Sequence, residues 1–199
     1  MATNVRVPRP RRDEVRSRIL AAAAEVFARR GFSVATIDEV AAAAGFTKGA
    51  VYSNFASKDE LFLALMDAEV SARVALARRV LAQAPTSQQA AAEIGDRLAQ
   101  AVTDQPHWQL LFLEFWLRAV REPAVREQFV THRRALRASI AEAIRQASAG
   151  DPDTPAWSAE EQTVIVLALS NGLGIETLAD PTGIPDGLFG RILARLAGG

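Results

Sequence analysis

The chain reads as all-α, on three observations. Apolar residues recur about every 3.6 positions, as in Val15, Ile19, Ala22, Ala23, Val26 and Phe27, the period of one helix face. Alternation with period two is never sustained, and β-branched residues are sparse outside one short run, which argues against strands. Three segments, beginning at Thr36, Ser57 and Ser158, put a hydroxyl at an N-cap and a carboxylate (Glu39, Glu60, Glu161) three residues on. Each such pair can satisfy two backbone donors that a helix start leaves open.

Nine helices follow in order. Residues 1–12 form a basic arm: Pro8 and Pro10 deny it helix, and Arg6, Arg9, Arg11 and Arg12 repel one another, so it is either a solvated tail or a nucleic-acid contact. The first helix spans 13–30 and stops at Gly31; the second spans 37–44 and stops at Gly45. Gly45-Phe46-Thr47 is a tight turn into a third short helix over 48–54. Two short helices joined by a Gly-containing turn are the helix-turn-helix pattern, and neither is long enough to persist without packing on the first. Residues 13–58 are therefore one domain and 59–199 a second.

From Ser57 a long helix runs to about Ala82, roughly 37 Å at 1.5 Å per residue. Phe62, Met66, Val70 and Val74 form one of its stripes, and Leu61, Leu65, Ala68 and Ala72 another. Helices over about 87–104, 106–121, 123–149, 158–179 and 186–197 are separated by Pro85, Pro106, Pro123 and the 151–155 stretch DPDTP.

Composition narrows the function. Hydrophobic residues at 49% and charged residues at 23% are those of a globular protein. Cysteine is absent, which excludes disulfides, thiolate zinc sites and thiol nucleophiles and suits a reducing cytoplasm. No 18-residue run is apolar and uncharged, so no membrane span is expected; the basic start has no apolar stretch behind it, so no secretory leader is expected. No Ser-His-Asp signature, phosphate loop or carboxylate cluster at metal spacing occurs, and His107 and His132 have no ligand pairing. The expectation is no catalytic residue, no metal and no cofactor. Net charge is zero, yet residues 1–58 hold 10 Lys+Arg against 5 Asp+Glu, and the remainder 13 against 18. A basic head on an acidic body predicts a polyanion partner for the head.

Residues 36–62 carry that chemistry. Ile37, Val40, Ala41 and Ala44 form the inner face of the second helix, and Ala50 and Val51 anchor the third. Thr47, Lys48, Gly49, Tyr52, Ser53 and Asn54 are left to face outward. A major groove about 12 Å wide admits such a helix. Gly49 permits close approach, Lys48 offers donors to guanine or phosphate, and Tyr52 a hydroxyl to phosphate. Lys58 adds charge beside a helix N-terminus that already favours anions.

The segment resembles the DNA-binding motif of the TetR family of bacterial transcriptional repressors. The resemblance lies in Ala23, Phe27, Gly31 and Phe32, then Thr36, Val40, Ala41, Ala44 and Gly45, then Lys48-Gly49-Ala50-Val51-Tyr52 with Phe55, and Ser57-Lys58-Asp59-Glu60-Leu61. It covers about residues 13–65. It implies a homodimer that binds a palindromic double-stranded operator as a repressor and is released by a small-molecule effector in the C-terminal domain. Carried over, phosphate contacts fall on Thr36, Tyr52 and Lys58, and base contacts on Thr47, Lys48, Gly49, Ala50 and Ser53, with Asn54, Arg11 and Arg12 beside them. The alternative is a helical ligand-binding protein whose head does not bind DNA.

In the second domain Trp108, Phe112, Phe115 and Trp116 make one dense aromatic face, core or cavity lining. With Met66, Phe129, His132 (on an apolar seam) and Asn171, they are the expected ligand residues, and they favour a hydrophobic or aromatic ligand. Gly172 and Gly174 suggest a close helix contact. By the resemblance the last two helices dimerise, through Val164, Leu167, Ile175, Leu188, Ile192 and Leu196.

Overall fold

Nine α-helices and no strand occupy the described residues, 11–148 and 156–198, of the computed structural model. They are α1 (Arg12–Arg30), α2 (Ile37–Ala44), α3 (Lys48–Tyr52), α4 (Lys58–Gln83), α5 (Ser87–Asp104), α6 (Pro106–Arg121), α7 (Pro123–Ser148), α8 (Ala159–Ala179) and α9 (Leu188–Ala197). Arg6 and Arg9 of the arm, and the 151–155 stretch, lie outside the described residues. The all-α expectation holds, with two boundaries that differ by two residues. α3 closes at Tyr52, with Ser53 its C-cap and the Ser53 hydroxyl turned back onto the Ala50 carbonyl at 2.9 Å. α9 opens two residues later than the apolar pattern suggests, because Gly187 sits in the left-handed region at φ 66° and makes a turn after Pro185.

The chain divides into two units, one ending at Leu65 and the other beginning at Met66. In the first, α1 packs on α2 and α2 on α3. Ile19, Ala23, Phe27, Val40, Val51, Phe55, Leu61 and Phe62 are all but fully buried there. Phe27, Phe32 and Phe62 make a mutual aromatic cluster with centroids 4.8–6.0 Å apart.

In the second unit α5 lies along α9, α7 packs on α6 and α8, and α5 also meets α6 and α8. The α5–α9 approach rests on two glycines that the apolar periodicity did not mark. A Cβ on Gly95 would come within 2.7 Å of the Gly190 Cα, and one on Gly190 within 2.6 Å of the Ala92 carbonyl oxygen. Of the two glycines in α8, a Cβ on Gly172 would meet nothing within 4 Å. One on Gly174 would meet the Gln109 side chain at 2.8 Å. Of these two glycines, only Gly174 sits at a close contact.

α8 is long and apolar enough, by length and composition, to cross a membrane, although the sequence pattern predicts no such segment. It carries a buried Gln162 and Thr163 on its inner side and Glu176 on its outer side. Only 17% of its most apolar stretch is buried, so much of its apolar surface faces outward in the single chain.

A candidate nucleic-acid face and a candidate ligand cavity

Helix starts and ends position the N-terminal site. Thr36 caps α2 in a complete capping box: its hydroxyl accepts from the Glu39 N–H at 3.2 Å, and its own N–H donates to Glu39 Oε2 at 2.8 Å. These bonds, backbone first, hold the Glu39 carboxyl below the usual carboxylate range. Gly45, at φ 70° and ψ 32°, turns the chain in the left-handed conformation that only glycine adopts freely. Thr47 then caps α3, its hydroxyl accepting from the Ala50 N–H at 3.2 Å. At α4 the Ser57 hydroxyl accepts from Glu60 N–H at 3.0 Å, but Glu60 Oε2 accepts from Ala56 rather than from the cap residue, at 2.7 Å. The return bond reaches one residue further back than the spacing predicts.

Two arginines of α1, missed in the sequence, tie the short helices down. Arg18 donates to the Ala44 carbonyl, the last residue of α2, at 3.1 Å and lies over the Phe46 ring at 4.6 Å. Arg16 donates to the Asn54 carbonyl, just past α3, at 2.9 Å and lies over Phe55 at 4.2 Å. Cations there complement the carbonyl ends of both helices, and the stacking adds a cation–π contact. The partners are 26 and 38 residues away in sequence, a separation at which no local spacing rule operates.

With α1 and α2 inward, Thr47, Lys48, Gly49, Tyr52 and Ser53 are exposed along α3 and its caps, and Ala50 and Asn54 are half-buried. Lys48 Nζ reaches Asp38 Oδ2 at 2.8 Å, and that hydrogen bond raises the pKa of the ammonium. Lys58 Nζ donates to the Ser33 carbonyl at 3.3 Å and sits 4.5 Å above the Phe32 ring. The chain's two lysines thus both lie on this unit. Asn54 donates from Nδ2 to the Ala50 carbonyl at 2.8 Å, while its buried Oδ1 has no partner. Arg11 and Arg12 are exposed at the start of α1.

The second unit contains a partly open cavity of about 280 Å³. Val70, Val74, Leu98, Ile140 and Val166 give it an apolar wall. Of the expected ligand residues, Met66, Trp108, Phe112 and Asn171 line it, and the other four do not. Phe115 is buried in the core at 1% exposure, its ring 6.0 Å from that of Phe129. Trp116 is 44% exposed and faces outward with Leu117 and Val120. His132 Nδ1 donates to the Asp67 carboxylate at 2.8 Å, a tie between α7 and α4 rather than a point on an apolar seam.

The expected dimer residues divide too. Leu167 and Leu196 line the cavity, whereas Val164 and Ile175 are exposed and Leu188 and Ile192 half-buried. Positions 164 and 175 are about three turns apart and so share a face; position 167 lies about 60° round the axis. The cavity also takes in Arg133, which the sequence reading passed over. The available signal was an arginine on the α7 seam, between Phe129 and Leu136.

Residues 19–65 match the family model for bacterial regulatory proteins of the tetR family. Residues 87–197, more than half of the chain, match that for the C-terminal part of BetI-type transcriptional repressors. The transcriptional activator FasR of Mycolicibacterium smegmatis is 44% identical over 70 residues, which are 35% of this chain and 32% of FasR. The chain thus matches about a third of that relative's length. A TetR-family regulator structure from Rhodococcus is 25% identical with a TM-score of 0.70, covering 92% of this chain and 95% of that one. FadR of Bacillus subtilis, solved with stearoyl-CoA, is 12% identical with a TM-score of 0.69, covering 92% and 97%.

Proposed function

The chain belongs to the TetR family of bacterial regulatory proteins, and we propose that it is a homodimeric repressor of a palindromic operator, released by an apolar small molecule in its C-terminal cavity. One observation supports the DNA reading above others: an exposed α3 surface of Thr47, Lys48, Gly49, Tyr52 and Ser53, with α3 held by its Thr47 cap and by Arg16. Lys48 is already an ammonium held at an exposed carboxylate, and a guanine edge or phosphate can replace Asp38 at little cost in water. Tyr52 and Lys58 take phosphate. Thr36 contributes through the α2 start, since both its hydroxyl and its N–H are engaged by Glu39, and a phosphate there must displace that carboxylate.

The dimer reading rests on Val164 and Ile175 of α8 and on Trp116, Leu117 and Val120 of α6, a helix that meets α8. So much outward apolar side chain in one unit marks an interface, and a second copy covers it. The effector reading rests on the cavity and on α4, which begins at Lys58 and carries Met66, Val70 and Val74 in the cavity wall. A ligand releases DNA only by binding better to the state that does not fit the operator, and α4 is the element that carries the difference.

Gel-shift titration of the purified chain on DNA upstream of its own gene, over a salt series, tests this. Binding should fall linearly in log salt, and Lys58→Ala should lower the slope by about one. An unchanged slope assigns Lys58 to the fold alone. Absence of any sequence-selective shift returns the chain to a ligand-binding protein without DNA. Light scattering that finds a monomer at micromolar concentration removes the dimer.

A further inference from the structure

The cavity wall is electrically unbalanced. Among the described residues three charged ones line it, Glu69, Arg73 and Arg133. Glu69 and Arg73 are one turn apart on α4, with their charged ends 3.9 Å from each other. Arg133, from α7, stands differently. Its guanidinium carbon lies 5.6 Å from the Phe112 ring centroid, and among the described residues it makes no ion pair and no hydrogen bond. Burial, and then the like charge of Arg137 one turn on, both disfavour its charged form and lower its pKa. Two neutral polar side chains of the wall are better served. Gln109 donates to the Asn171 carbonyl at 3.4 Å and Gln162 to the Trp157 carbonyl at 2.9 Å.

A partly buried cation with no counter-charge is unfavourable, and arginine does not shed its proton to escape. A residue needed only to fill volume beside Phe112 would be better as leucine or methionine. We propose that the cavity takes an anionic amphiphile, whose carboxylate or phosphate head pairs with Arg133 and whose apolar body lies along Val70, Val74, Leu98 and Ile140. This rests on the reading of the cavity as the effector site and narrows it from apolar molecules at large to apolar molecules with one negative end. The guanidinium suits either head, because its paired N–H groups match the oxygens of both. Phe112 supports it from one side through the cation–π contact. The cavity wall thereby disfavours cationic amphiphiles of the same length.

Four probes of equal chain length, laurate, dodecyl phosphate, dodecanol and dodecyltrimethylammonium, test the proposal by calorimetric titration of the full chain below their micelle concentrations. At least one of the two anions should bind at a single saturable site ten times or more tighter than dodecanol, with the ammonium weakest. Laurate ahead of dodecyl phosphate identifies a free carboxylate; the reverse order identifies a phosphate monoester. Arg133→Gln should bring the preferred anion down to the affinity of dodecanol. Arg133→Lys should keep part of the preference, and Arg137→Gln should keep it, since Arg137 does not line the cavity. Melting curves check that the variants are folded, and a collapsed Arg133→Gln leaves the wild-type ranking and the lysine variant to decide. Dodecanol binding as tightly as both anions overturns the anionic head but leaves the effector site standing. A preference that survives Arg133→Gln overturns the role of Arg133. If no probe binds, the effector-site reading falls, and this proposal with it.

Discussion

The interiors of the two units differ in kind. The first is solid: Phe27, Phe32 and Phe62 pack on one another, and Ile19, Val40, Val51 and Leu61 of the same unit are all but fully buried. The second is hollow, with a cavity of about 280 Å³ between its helices. A DNA-reading head needs its side chains held to within fractions of an ångström, and close packing supplies that. A unit that must accept a ligand gives up some packing enthalpy to keep room for it. The same aromatic residue type therefore means different things in the two halves.

The comparison breaks most readily on its phenylalanines. Phe62→Ala in the solid unit should cost about 3–5 kcal/mol in denaturant unfolding. Phe112→Ala in the cavity wall should cost about 1–2 kcal/mol, because that ring already borders empty space. Equal losses would mean that the cavity is a packing defect rather than a reserved volume. A smaller effect tests the well-packed part of the hollow unit. Gly95→Ala drives a methyl into the α9 backbone and should cost about 1–3 kcal/mol in thermal melting, whereas Gly172→Ala, with open space at its Cβ inside α8, should gain about 0.5–1 kcal/mol. An unperturbed Gly95→Ala would mean α5 and α9 slide apart freely.

The smallest effect concerns the head. Thr36→Ala should cost about 1 kcal/mol through the lost cap. The Glu39 part of that box has a sign that can be checked. Its carboxyl is more acidic folded than unfolded, so its stabilisation is present above the unfolded pKa and vanishes as pH falls through the lower folded value. The stability gap between wild type and Glu39→Gln should therefore narrow below about pH 4.5, the ordinary value for the group. A gap constant down to pH 2 would detach Glu39 from the cap.

What was legible follows the same division. Thr36, Gly45 and Val51 could be read because caps, turns and short helices impose fixed local spacings. Fold class and the helix order were legible from the 3.6 period together with the capping boxes, glycines and prolines that bound the helices. In α6 and α8 apolar residues lie nearly all round, so the rotation of each about its own axis is settled by tertiary packing. That rotation sends Phe115 to the core, Trp116 to the outside and Leu167 to the cavity. His132 could be seen to lie on α7, but not to reach Asp67 of α4, 65 residues away. Arg133 was hidden for another reason: an arginine on a seam looks like a snorkelling surface residue until its place in the cavity wall, without an ion pair among the described residues, is visible.

The two arginine clips from α1 have a consequence for the thermodynamics of association. α2 and α3, of eight and five residues, are too short to be helical alone, and their carbonyl ends are closed by side chains 26 and 38 positions upstream. Such a motif forms all at once with α1 or not at all. The recognition element therefore meets its partner already ordered, and encounter carries no entropy of folding. The heat capacity change on binding should then match the area of contact alone, without the surplus that coupled folding adds.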